Sequence, residues 1–207
     1  MGNIQNQPLI LASSSIYRRD LLVRLGLPFE AIAPHVDERP LPNEGVAAMA
    51  LRLAIAKAAA IAKDRPNAWV IGSDQAADLH GEAIGKPGNF DNALLQLQRM
   101  RGQTVYFHTA VCLMRADYSV SINVPTEVRF RDLPDTTLIN YLEIEQPYDC
   151  AGSAKCEGMG IALLESIRSD DPTALIGLPL IALSALLRDA GFEIPPPHEM
   201  IRDDDCL

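Results

Sequence analysis

The chain has 207 residues and a mass of 22.6 kDa, enough for one large domain and for a core that holds without disulfides. It is 48% hydrophobic and 22% charged, which excludes wholesale disorder, collagen-like repeats and a membrane protein. A formal charge of −9 excludes general nucleic-acid binding, because a phosphate backbone demands clustered Lys and Arg. The apolar run Leu9–Ala12 predicts a buried strand, and Ser13, Ser14 and Ser15 after it carry the N-cap signature of a helix over 17–25 that Gly26 closes. Residues 29–33 read as a second short strand, and 35–43 as a polar, Pro-rich loop containing Asp37 and Glu38. The Ala-rich stretch 44–63 predicts a long helix on propensity alone. Trp69–Gly72 reads as a buried strand that ends in Ser73-Asp74-Gln75.

Gly85-Lys86-Pro87-Gly88 is a loop, and 89–100 a helix with Leu94, Leu95 and Leu97 turned to the core. The β-rich runs 105–114 and 120–130 flank Ala116-Asp117-Tyr118-Ser119 and predict an antiparallel ribbon. Then come a helix over 135–143 capped by Asp135, an irregular Gly-rich segment 150–160, a strand over 161–164 and a helix over 179–189. The expected architecture is α/β with a mixed sheet over residues 1–194 as one domain. Residues 195–207, with Pro195-Pro196-Pro197 and a net charge of −3, are expected to form a disordered acidic tail.

Chemistry is excluded before it is found. Cys112, Cys150, Cys156 and Cys206 form no CxxC pair, and no histidine pair has metal-ligand spacing, so four reduced thiols are expected and no zinc site. GxxxxGK[ST], GxGxxG and GxSxG are all missing. The pattern MGxxx[ST] fails at Asn6, the opening residues lack the build of a signal peptide, and the longest apolar run is too short for a bilayer, so a cytoplasmic protein is expected. Single segments stay two-sided. The serine loop with Arg18 is either an ordinary N-cap beside solvated arginines or an anion-receiving loop. Glu38 is surface charge or a ligand for a hard cation. Asp74 is a turn former or a general base. Lys57 is a solvated helix lysine or a site cation, and Lys86 sits beside a glycine that permits close backbone approach.

Taken in order, LASSSIYRRDLL, VDE, RLAIAKA, IGSDQ, GKP, FHTAV, CAGSAKCEGMGI and LIGLPLIAL resemble the Maf-like nucleoside triphosphate pyrophosphatases over about Leu9 to Gly191. The resemblance implies an inosine-triphosphatase-like fold, a mixed twisted sheet with flanking helices and a nucleotide cleft between two lobes. It implies hydrolysis between the α and β phosphates, a divalent metal cofactor (Mg, Mn or Co) and a homodimer. By position it makes Asp74 the proton acceptor, Ser13, Ser15, Arg18, Lys57 and Lys86 the phosphate-binding groups, and Glu38 with Asp74 the metal carboxylates. Tyr17, Gln75 and Glu157 match the substrate-selecting positions of the branch that acts on 7-methyl-GTP, although Ile16 and Ala154 depart from it. A dTTP, UTP or other modified-nucleotide pyrophosphatase and a nucleotide-binding cell-division regulator are the alternatives.

Overall fold

The computed structural model describes residues 7–197. Its sheet grows from the two most apolar runs. Strand β1 (Leu9–Ala12) is buried throughout and pairs in parallel with β2 (Glu30–Ala31) on one side and with the start of β3 (Trp69–Leu79) on the other. The order is β2-β1-β3-β5-β6-β7, where β5 is Thr104–Arg115, β6 is Tyr118–Phe130 and β7 is Leu164–Ser169. Beyond β1 the neighbours are antiparallel, and the short β4 (Glu82–Ile84) folds back on the far end of β3.

Helices cover the sheet where their apolar faces find it. Helix α1 (Ile16–Val23) and helix α5 (Leu180–Asp189) bury Leu21, Leu22, Leu183 and Leu187 against Ile71 and Leu113. Helix α2 (Val46–Ala62) lies on the opposite face through Ala50, Ala54 and Ala58. The approach is close: a Cβ on Gly72 would stand 2.1 Å from the Ala54 carbonyl. A second core joins α3 (Phe90–Met100) and α4 (Asp135–Glu145) to the far halves of β3, β5 and β6 through Leu97, Met100, Phe107, Val128 and Leu142. Two lobes result, with the long strands running through both.

Several expected boundaries move. Strand β3 does not stop at Gly72, because β5 supplies ladder partners from Val70 to Asp78 and carries the polar Ser73-Asp74-Gln75 into the middle of a strand. Strands β5 and β6 are longer than expected and turn on Ala116 and Asp117 alone. The strand expected over 161–164 is instead a 3-10 turn, Met159–Leu163, that feeds β7. Gly160 forces that tightness, since a Cβ there would lie 2.5 Å from the Lys155 carbonyl. Helix α2 starts after Gly45, and Glu44 instead accepts from the Leu41 N–H and pairs with Arg52. Pro134, not Asp135, holds the N-cap position of α4. Of the expected tail, Pro196 is buried and approaches Gly26, while 198–207, with Cys206, lie outside the described residues. Cys112, Cys150 and Cys156 are free thiols, and no helix among the described residues is long and apolar enough to cross a membrane.

Candidate active site

The site forms at a notch in the sheet edge. Strand β1 leaves β3 after the Ala12–Gly72 pair, and β4 joins only at Ala77, so Ser73–Ala76 lack a strand neighbour on that side among the described residues. Alternation of side chains along β3 then sends Asp74 to the α2 face and Gln75 to the other face. A cleft of about 740 Å³ wraps this notch. Its walls include the serine loop with Tyr17 and Arg18, Glu38 and Lys57, Asp74 and Gln75, Lys86, and Glu157. All ten residues singled out in the sequence therefore meet in one cavity.

At the phosphate end, Ser15 caps α1, its Oγ accepting from the Arg18 N–H at 3.4 Å. Ser13 is buried and its Oγ accepts from the Ser15 N–H at 3.1 Å. The loop and the start of α1, from Ser13 to Arg18, line the cleft, where the helix dipole favours an anion. Arg18 is not a solvated arginine. Its Nε donates to the Gly177 carbonyl at 2.9 Å and a terminal nitrogen reaches Ser13 Oγ at 3.4 Å. Burial lowers its pKa from the ordinary guanidinium value, against the opposing pull of Asp74 and Glu38.

Lys57 is not solvated either; it is 6% exposed, and Asp74 is 7% exposed. The Lys57 ammonium donates to Asp74 Oδ1 at 2.6 Å and pairs with Glu38 Oε1 at 2.8 Å. One cation is therefore shared by two carboxylates from different elements. Glu38 is exposed, and although partial desolvation raises its carboxyl, the hydrogen bond to Lys57 and the charges of Lys57, Lys86 and Arg18 together hold it below the usual carboxylate range. With Asp74 Oδ1 and Glu38 Oε1 engaged by Lys57, their other carboxylate oxygens are the hard donors that could hold a divalent ion. Among the described residues no cluster of three or more His, Cys, Asp or Glu offers a fuller cage.

At the other end stand Tyr17, Gln75 and Glu157. The Lys155 ammonium lies 5.7 Å from the Tyr17 ring centroid and pairs with Glu145 at 3.0 Å, rather than with its neighbour Glu157. Burial, then the charges near Cys150 and Asp149, push the Tyr17 hydroxyl up to about 12. Gln75 points its amide nitrogen at Thr109, Ala174 and Leu175. Thr109, Glu145 and the carbonyls of 174–177 were not singled out by sequence reasoning, and Lys155 stood there only as a motif lysine beside Glu157. Thr109 sits inside FHTAV and Gly177 inside LIGLPLIAL, so the only signal was membership of a motif.

The fold and site define an α/β protein with a cleft across a sheet edge, cationic and rich in N–H donors at one end and lined by acceptors and an aromatic ring at the other. The chain belongs to the Maf-like protein family, whose model matches residues 8–190. A 7-methyl-GTP pyrophosphatase of Xanthomonas axonopodis pv. citri (strain 306) is 56% identical over 187 residues, covering 90% of this chain and 98% of that one. A 7-methyl-GTP pyrophosphatase of Cupriavidus metallidurans is 57% identical over 194 residues, covering 93% and 98%. Among solved structures, the Staphylococcus aureus Ham1 protein superposes with a TM-score of 0.53 at 14% identity over 89% of this chain and all of that one. That likeness bears out the inosine-triphosphatase-like fold.

Proposed function

We propose that this protein is a nucleoside triphosphate pyrophosphatase that hydrolyses 7-methyl-GTP to 7-methyl-GMP and diphosphate. The observation that carries the reading is the buried Asp74–Lys57 pair with Glu38 at its exposed side, set in one cleft with the serine loop, Arg18 and Lys86. Names of relatives at 56–57% identity support the same substrate. The triphosphate lies along Ser13, Ser15 and the N-terminus of α1, with Arg18 and Lys86 neutralising the charge that grows on the departing diphosphate. Asp74, oriented through Oδ1 by Lys57, accepts a proton from the water that attacks the α phosphorus. The new P–O bond forms as the bond from the α phosphorus to the bridging oxygen breaks, and diphosphate leaves with that oxygen. Glu38 and Asp74 would hold a divalent ion (Mg, Mn or Co), which supplies positive charge to the phosphate oxygens.

The base end fits a methylated guanine. N7-methylation makes the base cationic, and Tyr17 offers it an aromatic face. Glu157 accepts from the N1–H and N2–H₂ edge and complements the charge. We further read the protein as a cytoplasmic homodimer acting on free nucleotides, with no nucleic acid or membrane as partner. The family resemblance and the net charge of −9 support this.

The test is diphosphate release from 7-methyl-GTP, GTP, UTP and dTTP with each divalent ion, for wild type and Asp74→Asn. Turnover of 7-methyl-GTP is expected to exceed that of the others. Asp74→Asn is expected to lower it at least about 100-fold with an unchanged circular dichroism spectrum. Near-normal turnover by that variant removes Asp74 from the mechanism, and equal turnover of all four substrates removes the base assignment.

A further inference from the structure

We propose that Thr109 and the carbonyls of Ala174 and Leu175 lock Gln75 as a hydrogen-bond acceptor towards the base, which makes Thr109 a positioning residue for specificity. The inference rests on the guanine-nucleotide reading above and adds how the edge of the base is read.

Chemistry dictates the orientation of the Gln75 amide. Gln75 Nε2 lies 2.9 Å from the Ala174 carbonyl, 2.9 Å from the Leu175 carbonyl and 3.0 Å from Thr109 Oγ1. Carbonyl oxygens only accept, so the group facing them must be the NH₂. Thr109 is 0% exposed and gives its own proton to the Ala174 carbonyl at 2.8 Å, which leaves its lone pair for Gln75. Two amide hydrogens thus meet three acceptors and none remains for a ligand. Oε1 is the other end of the amide. Among the described residues it has no hydrogen-bond partner, and it is not among the buried polar atoms left unsatisfied. Gln75 lines the cleft, so Oε1 is the atom it offers there. Turning the amide over would set that oxygen against two carbonyls and forfeit both bonds to them.

The carbonyls are themselves fixed. Asp171, 2% exposed, accepts from the Thr173 N–H at 3.0 Å, the Thr173 hydroxyl at 2.7 Å and the Ile181 N–H at 2.6 Å. This ties the 171–177 turn to the start of α5. The Gly177 carbonyl of the same turn accepts from Arg18 Nε and from Ser73 Oγ. One turn therefore orients groups at both ends of the cleft.

The consequence is two acceptors on the cleft lining, Gln75 Oε1 and the Glu157 carboxylate, with the aromatic ring of Tyr17 in the same lining. Such a pair favours a base edge with adjacent donors. Guanine has them in N1–H and N2–H₂, whereas uracil and thymine set a single N–H between two carbonyls.

The experiment compares wild type, Gln75→Met, Thr109→Val and Thr109→Ser. Substrates are 7-methyl-GTP and two analogues each short of one donor: 7-methyl-ITP, without the 2-amino group, and 7-methyl-2-aminopurine riboside triphosphate, without N1–H. The corresponding monophosphates are titrated by calorimetry, so that base reading is measured without turnover. For the analogue that lacks the donor Gln75 receives, Gln75→Met is expected to narrow the preference for 7-methylguanine about tenfold. Thr109→Val is expected to narrow the same preference severalfold, and Thr109→Ser to keep it. Unchanged preferences in Gln75→Met overturn the proposal. So does a Thr109→Val variant that loses activity on all three substrates alike, because that is a packing defect. If wild type neither hydrolyses 7-methyl-GTP nor binds 7-methyl-GMP, the proposed function falls as well. If wild type turns over 7-methyl-GTP while the variants keep its preference, only this inference falls.

Discussion

Lys57 shows how a single residue changes meaning with depth. In the sequence it is one more polar position on an alanine-rich helix, with nothing to choose between solvent and site. The structure decides through its neighbours. Ala54 and Ala58 bring α2 against Gly72, and Lys57 is then buried at the wall of the cleft. Its ammonium is satisfied by Asp74 and Glu38 instead. A paired charge this deep is costly to break, because the partner stays buried without compensation. Lys57→Met is accordingly expected to destabilise the protein by about 3 kcal/mol in urea unfolding and to lower turnover at least about 100-fold. A variant as stable as wild type would mean that Asp74 finds another cation, for which Arg18 is the candidate. Gln75 was legible as a residue of interest, but its acceptor role was not, because the partners that turn it lie about 35 and 100 positions away in the chain.

Among elements, those with strong local signals stand near where the sequence put them. Strand β1, helices α1, α3 and α5 and the β5–β6 ribbon have apolar periodicity or punctuation that survives in isolation. The misplaced elements depend on partners. The second half of β3 is polar in part and is a strand because β5 pairs with it. Strand β7 is exposed at all but its first residue, so no hydrophobic alternation marks it. The notch that makes the site was illegible for the same reason, since it is a mismatch between where β1 ends and β4 begins. The seam between α2 and β3 carries a prediction of its own. A Cβ at position 72 would lie 2.1 Å from the Ala54 carbonyl and 2.7 Å from the Ala58 nitrogen, both backbone atoms that move only with the helix. Gly72→Ala is expected to cost about 1–3 kcal/mol in thermal unfolding. It should lower kcat as well, since α2 carries Lys57 away from Asp74. Unaltered kcat alongside the stability loss would show that the site tolerates a displaced α2.

For the whole molecule, the distribution of titrating groups sets the pH range of stability. On the acid side, hydrogen bonds and charges from neighbouring cations depress Glu44 and, against partial desolvation, Glu38, while the Met159 N–H and Lys155 depress Glu145. A carboxyl with a depressed folded-state pKa adds stability above its ordinary value and loses it as pH falls through the folded one. That limb therefore lies below an ordinary value of 4.5. On the alkaline side Tyr17 and Cys150 line the cleft, and Cys156 lies near enough to Cys150 to feel its charge. Burial first, then Asp149, pushes Cys150 from 9.0 up to about 12, and burial first, then Glu157, does the same to Cys156. A raised pKa works in the opposite sense. Unfolded thiols lose their protons near 9 while folded ones keep them, so this stability is complete below 9 and drains away as pH rises to about 12. Tyr17 adds to the same limb, rising from 10.0 to about 12. The midpoint of thermal unfolding is expected to be flat from about pH 5 to 8.5 and to fall on both sides. In the double variant Cys150→Ser, Cys156→Ser the alkaline fall should become shallower while the acid fall stays, as the two limbs have separate origins. Amide hydrogen exchange near pH 9.5 should show residues 149–158 opening before the β5–β6 ribbon. An alkaline limb unchanged in the double variant would assign that loss of stability to groups other than these two thiols, Tyr17 first among them.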